Sequence, residues 1–356
     1  KHRIAGRSDL VYFYVTGSNG KTTTVAMIKS ILGCSGLTHW VGGNIGGSLL
    51  SELEHISPRD TVVLELSSFQ LEWLRDMAWS PHIAAVLNIL PNHLDRHGTF
   101  QSYLEAKAAI LDYQKIGNRV VLVRDDPGSR SLADRARGRV RWVGTDPDIK
   151  GITIREGKIV ERSWRKTNDI IGIDRLAVPG SHNLMNAMAA AACSLEMGIE
   201  IDAILRGLES FRGLPHRLEP VGEAGGVKFY NDSKATTPEA ATAGVMAFDT
   251  PVIPVFGGYD KGVSFYRMAH AISGRVKWAA LIGTTAPNIA KSLERACVQS
   301  SIYTTLDEAF KACVSRARDG DTVLLSPGCA SYDMFNDYEE RGVRFRELVR
   351  EYVESK

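Results

Sequence analysis

Cysteine is scarce in this chain: 356 residues hold five, Cys34, Cys193, Cys297, Cys313 and Cys329, scattered singly and never in C-x-x-C spacing. An odd, dispersed set fits a reducing cytoplasm. It argues against a disulfide framework and against a thiolate zinc site. Long apolar runs are missing too, so no segment is expected to span a bilayer, and the first residues do not form a signal peptide. Neither sign of charge dominates: 43 Lys and Arg face 41 Asp and Glu, a net charge of +2. That balance gives no argument for nucleic acid or an anionic membrane. Internal repeats and low-complexity stretches are also lacking. What remains, 44% hydrophobic and 24% charged residues, is the composition of a globular enzyme, and 356 residues favour two domains over one.

The most informative stretch is VTGSNGKTTT, Val15 to Thr24. It follows an apolar run, Leu10 to Val15, that reads as a buried strand. It precedes a helical pattern with Val25, Ile28 and Leu32 on one face. Strand, glycine turn and helix N-terminus together aim backbone N–H groups and the positive helix end at an anion. Gly17 and Gly20 allow close approach of phosphate oxygens, Lys21 reaches the β- and γ-phosphates, and the Thr22 hydroxyl suits Mg²⁺. The general P-loop pattern asks for glycine where Val15 stands. The competing reading is an ordinary turn followed by a solvated lysine.

Strand-like and helical runs alternate throughout, the signature of parallel α/β sheets. TVVLEL (Thr61–Leu66), IAAVLNIL (Ile83–Leu90) and RVVLV (Arg119–Val123) suit strands covered on both faces. Arg124 to Val178 is more polar and reads as strand-and-turn elaboration. A helix is expected from near Asn183 through the alanine-rich NAMAAAACSLEMG. FRGLPHR (Phe211–Arg217) is the best linker, and VKFYND, PVIPVFGG, WAALIG and DTVLLSP read as strands beyond it. A final helix places Phe345, Leu348, Val349 and Tyr352 on one face. The expected fold is α/β: a P-loop mononucleotide-binding domain over residues 1–213, then a smaller Rossmann-like α/β domain over 214–356.

Polar side chains gather where strands end. Glu65 closes one strand, and His93 follows another in NILPNHLDRHG. A carboxylate at the carboxyl edge of a parallel strand near a P-loop suits a magnesium ligand. The competing readings are a hydrated strand-end carboxylate and a polar surface turn. His93, Asp95 and His97 alternate in a spacing that fits no common closed zinc site. Lys107, on a helix with Leu104, Ala108 and Leu111, reads by composition as a solvated lysine. In the second half NDSKATTPEAA, GGYDKG and SPGCASYDMF are three strand-end loops, better read as a site than as decoration. Lys234 and Lys261 suit a substrate bearing carboxylates.

TGSNGKTTT, ELSSFQLE, NHLDRH, GSHNLMNAMAAA, PHR, NDSKAT and SPGCASYDMF, in this order, resemble the Mur ligases, ATP-dependent amide-bond-forming enzymes of peptidoglycan synthesis. The P-loop with Val15 is that family's own form. ELSSFQLE and NDSKAT resemble the D-glutamate-adding branch, and the resemblance covers essentially the whole chain. It implies that ATP phosphorylates the terminal carboxylate of UDP-N-acetylmuramoyl-L-alanine and that the amine of D-glutamate then attacks. It implies Gly17, Ser18, Asn19, Gly20, Lys21, Thr22, Thr23, Asn183, Asn186, His216, Arg217 and Asp232 as nucleotide contacts. Thr22, Glu65, His93 and a carbamylated Lys107 would serve two Mg²⁺ ions. Asn44 and Ser67 match positions touching the muramoyl substrate; Lys234, Thr236, Lys261, Ser331 and Phe335 match the D-glutamate pocket. A cytoplasmic monomer is expected, with no nucleic-acid or membrane partner. Members also carry an N-terminal UDP-binding domain, whereas this chain starts almost at the P-loop strand. Two readings stay open: a same-fold ligase for another amino acid such as L-glutamate, and an ATP-binding regulatory module without ligation.

Overall fold

A computed structural model describes residues 11–44, 49–260 and 262–356, with only the backbone of Leu94 and Asp95. The chain divides into two compact units, Lys1–Ala177 with His182–Phe211, and Val178–Ser181 with Arg212–Lys356.

The first unit is built on nine strands: β1 (Val11–Thr16), β2 (His39–Gly43), β3 (Thr61–Glu65), β4 (Ile83–Val86), β5 (Arg119–Val123), β6 (Arg139–Val143), β7 (Gly151–Arg155), β8 (Lys158–Arg162) and β9 (Thr167–Gly172). Their order is β2-β3-β1-β4-β5-β6-β7-β8-β9. Pairing is parallel from β2 to β7 and antiparallel across β7, β8 and β9. The helices are α1 (Lys21–Gly33), α2 (Ser68–Asp76), α3 (Leu94–His97), α4 (Phe100–Ala108), α5 (Pro127–Ser131), α6 (Ser181–Glu196) and α7 (Ile201–Ser210). All residues of β3 and β4 are buried, as continuous apolar runs covered on both faces should be. Ala187 to Ala192 of α6 are wholly buried, and all but Met188 are alanines whose small side chains allow close helix packing. The chain runs from β1 to the β2 edge and returns through β3 before crossing to β4. The loop after β1 therefore sits at a topological switch point, where open α/β sheets bind ligands.

IAAVLNIL departs from its sequence reading. Paired strand stops at Val86, because β1 ends alongside it at Thr16. The next residues turn their backbone to the glycine loop instead: Leu87 N–H donates to the Thr16 carbonyl at 3.0 Å, and the Asn88 carbonyl accepts from Ser18 N–H at 2.8 Å.

The second unit carries β10 (Glu219–Ala224), β11 (Val227–Asn231), β12 (Val252–Gly257), β13 (Ala279–Ile282), β14 (Ser300–Ile302) and β15 (Thr322–Leu325), ordered β10-β11-β15-β12-β13-β14. Only β10 and β11 pair antiparallel. α8 (Pro238–Val245), α9 (Tyr266–Ile272) and α10 (Ala286–Arg295) cover one face, and α11 (Leu306–Arg316) and α12 (Tyr338–Glu354) the other. The division follows the strand period of two: Phe256, Leu281 and Leu324 meet the first group, Val255, Ala280 and Val323 the second. Each fully buried Leu, Val or Phe contributes about 1.5–3 kcal/mol of transfer free energy. β10 and β14 had no sequence signal: one contains Pro220 and a bulge, the other is three residues long. The five cysteines are free; Cys193, Cys313 and Cys329 are buried, Cys34 is half-buried and Cys297 exposed. Among the described residues no helix is long and apolar enough to cross a membrane.

Candidate active site

β1 ends in the glycine loop and α1 begins at Lys21, with Gly20 as its left-handed N-cap at φ 82°. The first turn of α1 holds no acidic residue, which leaves its positive end open to an anion. Gly20 is doubly constrained, since a Cβ there would stand 2.3 Å from the Asn186 amide oxygen as well as in a left-handed conformation. The same oxygen accepts from Thr24 Oγ1 at 3.4 Å, so Asn186 of α6 packs on the loop beside Asn183; both are nearly buried. Ser18 is locked from the other side: its hydroxyl donates to the Leu90 carbonyl, accepts from Leu90 N–H and lies 3.0 Å from the Tyr103 hydroxyl. Asn19 exchanges two hydrogen bonds with the Asn88 side chain. Lys21 Nζ bends back onto the Gly17 and Ser18 carbonyls at 2.9 and 3.1 Å. Thr22 and Thr23 follow in the first turn.

Lys107 meets this loop from beneath. The solvated reading of this lysine is wrong: it is 1% exposed, because α4 lays its Tyr103–Lys107 face against the end of β1. Its Nζ donates to the Gly17 carbonyl at 2.9 Å and to Thr16 Oγ1 at 3.3 Å, and lies 4.8 Å from the Tyr103 ring centre. Burial, and then the Lys21 charge, push its amine down to about 7, while Glu65 opposes the shift.

Glu65 stands opposite Val15 in the β1–β3 register and is 1% exposed. Oε1 accepts from Asn44 Nδ2 at 3.0 Å, whereas Oε2 is buried without a hydrogen-bond partner among the described residues. An orphaned carboxylate oxygen beside a phosphate loop is what a hard divalent cation would satisfy, and Thr22 supplies a hydroxyl of matching chemistry. A lysine ammonium would repel that cation, but its carbamate would offer anionic oxygens. Glu65 and Thr22 thus offer oxygen donors of the kind magnesium takes.

His93 is exposed with φ 52°, a left-handed conformation uncommon outside glycine, and its ring lies 5.3 Å from that of Phe69. His97 differs: it stacks on Phe69, sits 3.0 Å from Ser68 Oγ and faces Glu72, so it braces α3 on α2. Among the described residues no three His, Cys, Asp or Glu side chains gather as a metal cluster. Ser67 is the N-cap of α2 in a reciprocal capping box with Gln70.

In the second unit the loops after β11, β12 and β15 lie at the sheet's own switch point. Asp232 accepts from Ser326 Oγ at 2.8 Å and from Leu218 N–H at 3.2 Å. Burial pushes its carboxyl up to about 7, against these two bonds and the Arg217 charge. His216, at φ 64°, is nearly buried 3.0 Å from Asn231 Nδ2, and burial holds its imidazole below the usual range. Arg217 Nε is buried without a partner among the described residues. The Lys234 ammonium lies 5.1 Å from the Tyr338 ring centre, Thr236 is half-buried close by, and Ser331 is buried. Phe335 is half-buried and packs against the core on the α11 and α12 face. Lys261 lies outside the described residues.

Sequence reasoning missed Asn88, Tyr103, Tyr338 and Arg341. Asn88 falls in a run that reads as plain strand, and the other three lie on helices whose periodicity does not say which face is covered by a loop.

The chain matches the Mur ligase middle domain over residues 15–194 and the Mur ligase glutamate ligase domain over residues 216–329. It belongs to the Mur ligase family, the ATP-dependent, amide-bond-forming ligases of cell-wall synthesis, for which ATP and Mg²⁺ are the family's requirement. A UDP-N-acetylmuramoylalanine–D-glutamate ligase of Symbiobacterium thermophilum is 42% identical over 340 residues, spanning 94% of this chain and 74% of its own length. One from Acetivibrio thermocellus is 42% identical over 346 residues, covering 95% and 73%. Among solved structures MurF from Acinetobacter baumannii superposes with a TM-score of 0.71 at 19% identity, covering 98% of this chain and 78% of that one, a likeness of fold.

Proposed function

We propose that the chain adds D-glutamate to the terminal carboxylate of UDP-N-acetylmuramoyl-L-alanine at the expense of ATP. The observation that carries the reaction type is Lys107: a buried amine, pushed to about 7, held on the Gly17 carbonyl of a phosphate loop beside the unpartnered oxygen of Glu65. The choice of amino acid and acceptor rests on relatives about 40% identical that bear that name.

In this reading the loop N–H groups and Lys21 neutralise the γ-phosphate while the acceptor carboxylate attacks it, giving an acyl phosphate and ADP. The D-glutamate amine then attacks the acyl carbon and phosphate leaves. Two magnesium ions, held through Thr22, Glu65, His93 and carbamylated Lys107, would supply further charge neutralisation when bound. Asn183, Asn186, His216, Arg217 and Asp232 are assigned to the nucleotide, Asn44 and Ser67 to the acceptor, and Lys234, Thr236, Lys261, Ser331 and Phe335 to the amino acid. The domain limits 1–213 and 214–356, a monomeric state and cytoplasmic residence belong to the same proposal.

The test is phosphate release with MgATP, UDP-N-acetylmuramoyl-L-alanine and a panel of D- and L-amino acids. Release with D-glutamate alone is expected. Release with L-glutamate alone overturns the amino-acid assignment, and intact ATP binding with silence across the panel overturns the ligase assignment.

A further inference from the structure

Arg341 on α12 is the largest fully buried side chain among the described residues, 1% exposed. A guanidinium taken out of water normally needs a carboxylate; among the described residues none forms an ion pair with it, and the Asp333 charge acts on it only from beyond that distance. Its donors go to loop backbone and a hydroxyl. Nε donates to Ser233 Oγ at 3.0 Å, Nη2 to the Ser233 and Cys329 carbonyls at 2.8 and 3.2 Å, and Nη1 to the Ala330 carbonyl at 3.4 Å. Ser233 Oγ in turn donates to the Tyr338 carbonyl at 2.7 Å, closing the circuit on α12. One cation thereby joins the loop after β11 to the loop after β15, two strand ends far apart in sequence.

Two of the joined residues immediately precede candidates for the amino acid: Ser233 precedes Lys234, and Ala330 precedes Ser331. We propose that Arg341 is a positioning residue which fixes the spacing of these loops, and so of Lys234 and Ser331, for binding a dicarboxylic amino acid. This rests on the proposed ligase reading. A core arginine would more cheaply be apolar unless its directed donors are needed, since replacing buried ionic groups by apolar ones is often neutral or stabilising. The planar fork holds its donors in fixed directions on three separate nitrogens, whereas a lysine offers rotatable donors from a single nitrogen.

Two measurements separate the staple from the function it serves. Hydrogen exchange of Arg341→Lys and Ser233→Ala is compared with the parent chain, without substrates. Faster exchange, about threefold or more, is expected in both 231–237 and 326–335, with α1 to α7 unchanged. Unchanged exchange in either loop overturns the staple, whether or not the chain ligates anything. The second measurement is ligation kinetics with whichever amino acid the parent chain accepts. KM for that amino acid should rise about tenfold in Arg341→Lys and less in Ser233→Ala, with KM for ATP within twofold of the parent. Equal rises in both constants, or none, overturn the positioning role. Arg341→Met is expected to be worse than Arg341→Lys, and should it fail to fold the two milder variants still decide.

Discussion

At the scale of single residues, two buried ionisable groups give opposite pH signatures. Asp232 has a folded-state carboxyl raised to about 7 from 3.8, so between those values the folded chain binds more protons than the unfolded one. Stability is therefore favoured below the unfolded value and is lost as pH rises through about 7. Asp232→Asn keeps an acceptor for Leu218 N–H and can donate to Ser326 Oγ. Its melting temperature should exceed the parent's by a few degrees at about pH 8 and converge with it near pH 4, by calorimetry without nucleotide. Lys107 is reversed: its amine is depressed to about 7, so the uncharged nucleophile that the proposed carbamylation would need is abundant only above that pH. Lys107→Ala should lose ligation by about a hundredfold or more and regain part of it with millimolar acetate or formate. No loss, or a loss that small carboxylates leave untouched, would sink the carbamate assignment.

The elements show what could be read from the chain alone and what could not. The phosphate loop was legible because its chemistry is local: glycines, Lys21 and Thr22 lie within a few residues and the flanking elements follow from periodicity. Glu65 was legible as a strand end, since ligand sites in parallel sheets lie at carboxyl edges, whereas His93 lies well beyond the end of β4 at Val86. Lys107 was not legible from its own helix, because burial under β1 is a tertiary property that nine residues of α4 do not encode. Resemblance singled it out where composition could not. Asn88 was hidden for another reason: an apolar run gives no sign of where its pairing partner ends. Since Asn88 makes both side-chain bonds to Asn19, Asn88→Ala should raise the ATP dissociation constant about tenfold while leaving the melting temperature nearly unchanged. Titration calorimetry checks this, and an unaltered dissociation constant would mean that the Ser18 contacts alone hold the loop.

For the whole molecule, each unit has its own sheet and covering helices, so ligand linkage should register in the unit that binds. MgATP at a hundredfold excess over its dissociation constant adds about 2.7 kcal/mol to the unit that holds it. The melting transition should rise with nucleotide concentration, and Lys21→Ala should abolish the rise. A concentration-independent transition in the parent chain would count against nucleotide binding altogether.

The distribution of thiols has a practical consequence. Cys193, Cys313 and Cys329 are sealed in the interior, and burial lifts the Cys329 thiol to about 11, out of reach of mild alkylation. That leaves Cys297 in the second unit and, more slowly, Cys34 in the first. The native chain thus carries one attachable handle per unit without any engineering. A donor dye added first and an acceptor second would sort themselves by rate, turning the chain into its own spectroscopic ruler for following the two units during turnover.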